Sequence, residues 1–76
     1  MTTQYRPAQS APFGLSRREL EVLSLLVEGL ADKEIAVALD VTPYTINKHI
    51  SQILLKLDCQ SRTAAAVKAI RVGLAR

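Results

Sequence analysis

Apolar residues recur at helical spacing in four stretches of the chain, and short polar breaks separate these stretches. Residues three and four positions apart lie on the same face of an α-helix, so each stretch predicts a helix with one apolar side. The first helix is predicted over about 17–28, because Ser16 and Glu19 have the spacing of a capping box and Gly29 stands at its end. Its apolar stripe consists of Leu20, Leu23, Leu26, Val27 and Leu30.

The second helix is short and is predicted over about 32–39. Ile35, Ala36 and Leu39 give it one apolar face. Asp32 can accept hydrogen bonds from the free amides at its start, so we expect Asp32 to cap it.

The third helix is predicted over 43–57. Thr42 is suited to be its N-cap, and Pro43 stands at the first helical position, where a missing N–H loses no hydrogen bond. Four apolar residues are spaced four, three and four positions apart and form a narrow stripe: Ile46, Ile50, Ile53 and Leu57. We expect this stripe to face the core.

The fourth helix is rich in alanine and is predicted over about 62–73, with Ser61 as its N-cap and Gly73 at its end. No strand-like alternation competes with these helices, so the predicted fold is all-α with four helices. Residues 1–14 carry two prolines and no periodicity, and we expect a flexible tail or linker there.

The third helix also has a face that points away from its apolar stripe. At about 100° per residue, this outward face consists of Tyr44, Asn47, Lys48, Ser51 and Leu55. Asn can pair bidentately with adenine and Lys can donate to guanine, so the face suits the groove of a DNA duplex. His49 lies on the shoulder of the core, where a structural, hydrogen-bonded histidine is favoured over a phosphate contact.

The charge of the chain is divided unevenly. Residues 1–40 carry four basic and six acidic side chains, whereas residues 41–76 carry six basic side chains and only Asp58. A polyanion would therefore prefer the second half of the chain, which contains the third helix.

Several functional classes find no support in the composition. No apolar run approaches the length of a membrane span, and the start of the chain has no apolar segment of a secretory signal, so we expect no membrane contact and a cytoplasmic protein. Cys59 has no second cysteine, and we expect it to be buried and reduced. A single histidine without a nucleophile or paired carboxylates predicts no enzyme, and no cofactor or metal site is expected.

A short helix, a three-residue turn and a longer helix form a helix-turn-helix, whose second helix enters the major groove. Beyond this arrangement, a series of spaced segments matches a known family: LSRRELEVL at 15–23, Gly29, KEIA at 33–36, Leu39, VT at 41–42, TI at 45–46, His49, ILLKL at 53–57, RT at 62–63 and Ala65. Through them, the chain from Leu15 to Leu74 closely resembles the LuxR-type DNA-binding domain of bacterial quorum-sensing receptors and response regulators.

The resemblance implies a four-helix domain that binds double-stranded DNA as a homodimer and places its third helix in the major groove. It also implies contact with RNA polymerase to regulate transcription. By position, Asn47, Lys48 and Ser51 correspond to residues that approach base edges. The residues that correspond to phosphate contacts are Thr42, Tyr44, Thr45 and Lys33, with Lys56 as an addition.

Three positions depart from the family pattern. Asn47 stands where Lys or Arg is usual, which favours adenine recognition there, with compensation from Lys48. Ala31 stands where Ser or Thr usually caps the second helix, so either Asp32 caps it or the helix frays. Leu55 occupies an outward position that is often basic.

The fourth helix has two faces that one small domain cannot bury together. Ala65, Ala66, Ala69 and Gly73 are small enough to pack closely on the domain. The other face consists of Val67, Ile70, Arg71 and Leu74, and the resemblance implies that it forms a two-fold dimer contact. The alternative is that Ile70 joins the core and the others are scattered exposures.

Three functions therefore compete. The first is a sequence-specific transcription regulator. The second is a protein-interaction module of the same fold, which would use Leu55 and the fourth helix. The third is a promoter-recognition domain of a sigma factor, which shares the helix-turn-helix but lacks the LSRRELEVL opening.

Overall fold

The computed structural model describes residues 12–74, in which four helices pack around one core. A short 3-10 turn, Pro12–Gly14, precedes α1 (Arg17–Val27), α2 (Asp32–Leu39), α3 (Pro43–Leu57) and α4 (Arg62–Arg71). The predicted all-α fold is confirmed, and each helix begins at the residue predicted for it. Most of the proposed tail lies outside the described residues.

Side chains cap three of the four helices at their N-termini. The Ser16 Oγ accepts from the Glu19 N–H at 3.1 Å, while the Ser16 N–H donates to Glu19 Oε1 at 2.8 Å, which confirms the capping box. Thr42 caps α3 and Ser61 caps α4, each accepting from a backbone N–H three residues later. These bonds fix where the helices start.

The start of α2 differs from the prediction. Asp32 does not cap the helix, because it is the first helical residue and Ala31 occupies the N-cap position. The Ala31 side chain cannot accept a hydrogen bond, but the Ala31 N–H donates to Glu34 Oε1 at 2.7 Å. The helix start therefore has the glutamate half of a capping box and lacks the hydroxyl half.

Each helix ends with a residue in the left-handed conformation. Glycine takes this position after α1 and α4, where Gly29 has a φ of 93° and Gly73 a φ of 78°. Aspartate takes it after α2 and α3, where Asp40 and Asp58 have φ values of 59° and 57°. Backbone hydrogen bonds from the following residues close each end, as in a Schellman motif.

The core is built around α3, which packs against each of the other three helices. All four residues of the predicted stripe on α3 are buried, as are Leu15 and Val22, which the predicted stripes did not include. Leu20, Val27 and Leu30 lie only at the margin of the core. No helix of the described part is long and apolar enough to cross a membrane.

Candidate nucleic-acid interface

The outward face of α3 is exposed along its length. Tyr44 is 72% exposed and Leu55 is 74% exposed. Asn47, Lys48 and Ser51 lie between them in sequence and are exposed as well. The buried stripe holds the opposite side of α3 against the core, so the structure brings the three predicted base-contacting residues onto one accessible surface.

The N-terminal end of α3 has no acidic side chain to offset its partial positive charge. Acidic side chains occupy the first turn of α1 and of α2, whereas the first turns of α3 and α4 have none, and residues 43–57 contain no Asp or Glu at all. The partial positive charge at a helix N-terminus therefore remains available to an external anion.

Two hydroxyl groups lie beside this helix end. The Thr42 Oγ1 accepts from the Thr45 N–H at 3.2 Å, and the two hydroxyl oxygens are 3.1 Å apart. One hydroxyl hydrogen is used between them, whichever residue donates it, so the other remains available. Thr42 is exposed and Thr45 is half-buried, so this donor lies at the surface.

Lys48 lies over an aromatic ring on the same face. Its Nζ is 5.6 Å from the centroid of the Tyr44 ring, one helical turn earlier. No carboxylate among residues 12–74 forms an ion pair with Lys48. The charge of this lysine is therefore not neutralised by a neighbouring side chain.

Lys33 and His49 differ in how far their side chains are exposed. Lys33 is exposed in the first turn of α2. His49 is half-buried, in agreement with its predicted place on the shoulder of the core, but no side-chain hydrogen bond to it is present among the described residues. The hydrogen bond expected for His49 is therefore not seen in the described part of the chain.

Lys56 is the predicted phosphate contact that the structure places differently. Its Nζ donates to Glu19 Oε1 at 2.8 Å and joins α3 to α1. Burial alone would raise the pKa of the Glu19 carboxyl, but the hydrogen bonds from Lys56 and Ser16 outweigh burial and hold that pKa below its ordinary value. Lys56 thus has a structural partner that the sequence pattern did not reveal.

Two further cations also have structural partners. The Lys68 Nζ donates to the Leu57 carbonyl at 2.7 Å, at the C-terminal end of α3, and lies 5.1 Å from the centroid of the Phe13 ring.

Arg62 forms an ion pair with Asp32 Oδ1, which joins the start of α4 to the start of α2. That buried oxygen accepts no aligned hydrogen bond, so the guanidinium charge compensates its burial.

The outer surface of α4 is apolar and open. Val67 is 48% exposed, Ile70 is 57% exposed and Arg71 is exposed. Ile70 therefore does not join the core, which excludes that part of the alternative. Leu74 is half-buried and packs against the core, while Val72, which the pattern did not single out, is 47% exposed.

An open groove of about 520 Å³ runs along α4 beside the end of α3. It is lined by Asp58, Cys59, Ala64, Val67, Lys68, Arg71 and Val72. Cys59 is half-buried here, not fully buried as expected, because it follows α3 at the edge of the core.

Val37, on α2, is an exposed apolar residue that the sequence analysis missed. It is 81% exposed. The helical period could have predicted this exposure, because Val37 lies about 200° around the helix from Ile35 and therefore opposite the apolar face of α2.

Comparisons with known proteins agree with this arrangement. Residues 14–69 match the family model described as bacterial regulatory proteins, luxR family. A solved structure of the transcription factor GerE superposes with a TM-score of 0.76 at 32% identity, covering 82% of this chain and 92% of that one.

Several curated relatives come from Bacillus subtilis and Staphylococcus aureus. The transcriptional regulatory protein LiaR of B. subtilis is 51% identical over 57 residues, which is 75% of this chain and 27% of LiaR. The uncharacterized transcriptional regulatory protein YhcZ of B. subtilis is 38% identical over 74 residues, or 97% of this chain and 35% of YhcZ. The response regulator protein VraR of S. aureus is 42% identical over 60 residues, or 79% of this chain and 29% of VraR.

This chain thus spans about a third of the length of these relatives, or less. The family match covers most of the residues that the structure describes, including all of α1, α2 and α3. The chain belongs to the luxR family of bacterial regulatory proteins.

Proposed function

We propose that this protein is a sequence-specific bacterial transcription regulator that binds double-stranded DNA with α3 in the major groove. The observation that carries the proposal is the outward face of α3, which combines exposed donors with a helix free of acidic residues. A duplex presents hydrogen-bonding base edges between rows of phosphates, so it requires both features of a protein surface.

The residues divide between base edges and phosphates. Asn47, Lys48 and Ser51 contact base edges, since they lie on the exposed face. The phosphate contacts are Thr42, Tyr44, Thr45 and Lys33. Lys56 leaves this set because its ammonium group is held by Glu19.

The protein acts as a homodimer through the outer surface of α4. The exposed apolar side chains of Val67, Ile70 and Val72 support this part of the proposal, because large apolar side chains clustered on a monomer surface mark an interaction site. Arg71 lies at the same surface, whereas Leu74 contributes only its exposed part. Replacing Ile70 with Glu should shift the protein to a monomer in analytical ultracentrifugation, whereas an unchanged dimer would exclude this surface.

Contact with RNA polymerase belongs to the same proposal and rests on family membership. Regulation of transcription by the intact regulator requires a promoter and the polymerase together. In-vitro transcription from a promoter that carries the selected site tests the contact with RNA polymerase directly.

DNA binding is tested by fluorescence anisotropy with a duplex selected from a random pool and with a random duplex. Lys48→Ala and Asn47→Ala should each weaken binding to the selected duplex by roughly 5- to 150-fold, which corresponds to about 1–3 kcal/mol per base contact. Binding to the random duplex should change much less. Equal loss on both duplexes would show that neither residue recognises bases.

Arg17→Ala is the matched control for charge. Arg17 is exposed at the start of α1, outside α3, and its replacement also removes one positive charge. This variant should retain the discrimination between the two duplexes.

The alternative function is a protein-interaction module of the same fold. Leu55 favours it, because a 74% exposed leucine on the outward face of α3 adds nothing to phosphate contact. If the wild-type dimer shows no salt-sensitive affinity for any duplex, the alternative replaces DNA binding. Replacement of Leu55 with Ser should leave DNA affinity nearly unchanged, since a leucine makes no phosphate contact.

A further inference from the structure

We infer that Tyr44 is a positioning residue for Lys48, and that the ring holds the ammonium group where it can donate to a guanine in the major groove. The inference rests on the proposed function and assigns a determinant of specificity within it. It gives Tyr44 a role in base selection through its ring, in addition to any phosphate contact made by its hydroxyl group.

The geometry places the two side chains as a pair. They are four residues apart on α3, so they lie on the same face, and the Lys48 Nζ is 5.6 Å from the centre of the Tyr44 ring. That distance is within the range of a cation–π interaction. Tyr44 is 72% exposed, so it does not have a role in the core that would explain the orientation of its ring.

Two other lysines of this domain donate to oxygen atoms. Lys56 donates to the Glu19 carboxylate and Lys68 donates to the Leu57 carbonyl, each at less than 3 Å, and Lys68 also lies over the Phe13 ring. An oxygen partner takes up N–H donors, and a carboxylate also neutralises the charge. A ring attracts the ammonium group while leaving its charge and its outward N–H donors available to a base.

A free lysine side chain has many rotamers, and ordering them opposes binding. If the ring restricts these rotamers before DNA arrives, less freedom is lost when the ammonium reaches guanine O6 or N7. An exposed cation–π pair of ordinary strength corresponds to about a 2- to 5-fold change in affinity. This gain in affinity should appear only on a duplex that has guanine at the position facing Lys48.

The pair is tested first in the free protein by NMR. Ring currents of Tyr44 should shift the Lys48 ε-methylene protons upfield, Tyr44→Phe should preserve the shift, and Tyr44→Leu should abolish it. Both variants should melt close to the wild-type protein because the side chain is exposed. If the wild-type protein shows no ring-current shift, the inference is overturned without any reference to DNA.

The second test is a double-mutant cycle of Tyr44→Leu and Lys48→Met, measured by anisotropy on the selected duplex. Compared with Tyr44→Phe, which already lacks the hydroxyl group, Tyr44→Leu should weaken binding about 2- to 5-fold when Lys48 is present and have no such effect in the Lys48→Met background. The loss should also disappear when the guanine facing Lys48 is replaced. Tyr44→Phe should retain this discrimination, even if loss of the hydroxyl group weakens binding to all duplexes equally.

Equal effects of Tyr44→Leu in both backgrounds would overturn the inference and leave DNA binding intact. If the wild-type protein binds no duplex, the proposed function fails and the inference fails with it. The presence or absence of wild-type binding therefore separates the two failures.

Discussion

The ion pair between Glu19 and Lys56 joins α1 to α3, and Lys56→Met tests its contribution to stability. The Lys56 Nζ and Glu19 Oε1 are 2.8 Å apart, and the Glu19 side chain is only 7% exposed. Methionine retains most of the length and the apolar character of the lysine stem. The substitution therefore leaves a buried carboxylate with its remaining hydrogen bond from the Ser16 N–H.

The expected loss follows from the burial of the two partners. A hydrogen bond to a charged group contributes about 1.5–3 kcal/mol. The Lys56 side chain is 32% exposed, so solvent screens part of this interaction and we expect a loss of about 1–2 kcal/mol. For a domain of this size, each kcal/mol lowers the Tm by about 4–8 °C.

The loss should depend on pH in a defined direction. The folded-state pKa of Glu19 lies below its ordinary value of 4.5, so the stabilisation is fully present above about that pH. It is lost as pH falls through the folded-state pKa, because the carboxyl becomes protonated. The difference in the free energy of unfolding between wild type and Lys56→Met should therefore shrink below about pH 4.5.

Urea denaturation at pH 7 and at lower pH measures the difference, with Glu19→Gln as the partner variant in a double-mutant cycle. On DNA, Lys56→Met should leave the dependence of affinity on salt unchanged, because the ammonium group is held by Glu19. A variant with wild-type stability and a salt slope reduced by about 1 would show that the ion pair does not hold Lys56, and would return Lys56 to the phosphate contacts.

Two further substitutions test the ends of helices by thermal unfolding. Ala31→Ser should raise the free energy of unfolding by about 1 kcal/mol, because the N-cap backbone already has the required conformation and Glu34 already accepts from its N–H. If stability does not rise, the serine hydroxyl does not reach the free amides of α2. Asp58→Gly should be more stable than Asp58→Ala by about 1 kcal/mol, because the left-handed φ of 57° is unfavourable for alanine. Equal stabilities of the two variants would contradict that backbone conformation.

Local patterns were sufficient to predict the fold. The spacing of Ile46, Ile50 and Ile53 identified the core face of α3, and the caps Ser16, Thr42 and Ser61 identified where helices begin. These signals act within one or two helical turns, so a single sequence contains them.

The partners of charged residues could not be predicted in the same way. Glu19 and Lys56 are 37 positions apart, and Asp32 meets Arg62 only after the chain has folded. Helical periodicity gives the direction of a side chain from its own helix, but it does not give what another helix places there. For this reason the sequence assigned Lys56 to phosphate and Asp32 to a cap.

The sequence predicted those features of the candidate site that depend on α3 alone. Exposure of Asn47, Lys48 and Ser51 follows from the period of α3 alone, and the Tyr44–Lys48 pair is also local. The outer surface of α4 required the structure, because the exposure of Ile70 and the half-burial of Leu74 depend on how α4 packs against α1 and α3.

Amide chemical-shift mapping can locate the surface that binds DNA, which we propose is the N-terminal half of α3. The selected duplex is added to the isotopically labelled protein at physiological salt, with the random duplex as the control. We expect the largest shift changes between Thr42 and Ser51, with a smaller and more uniform response to the random duplex. Changes confined to α4, or none at any salt concentration, would contradict it.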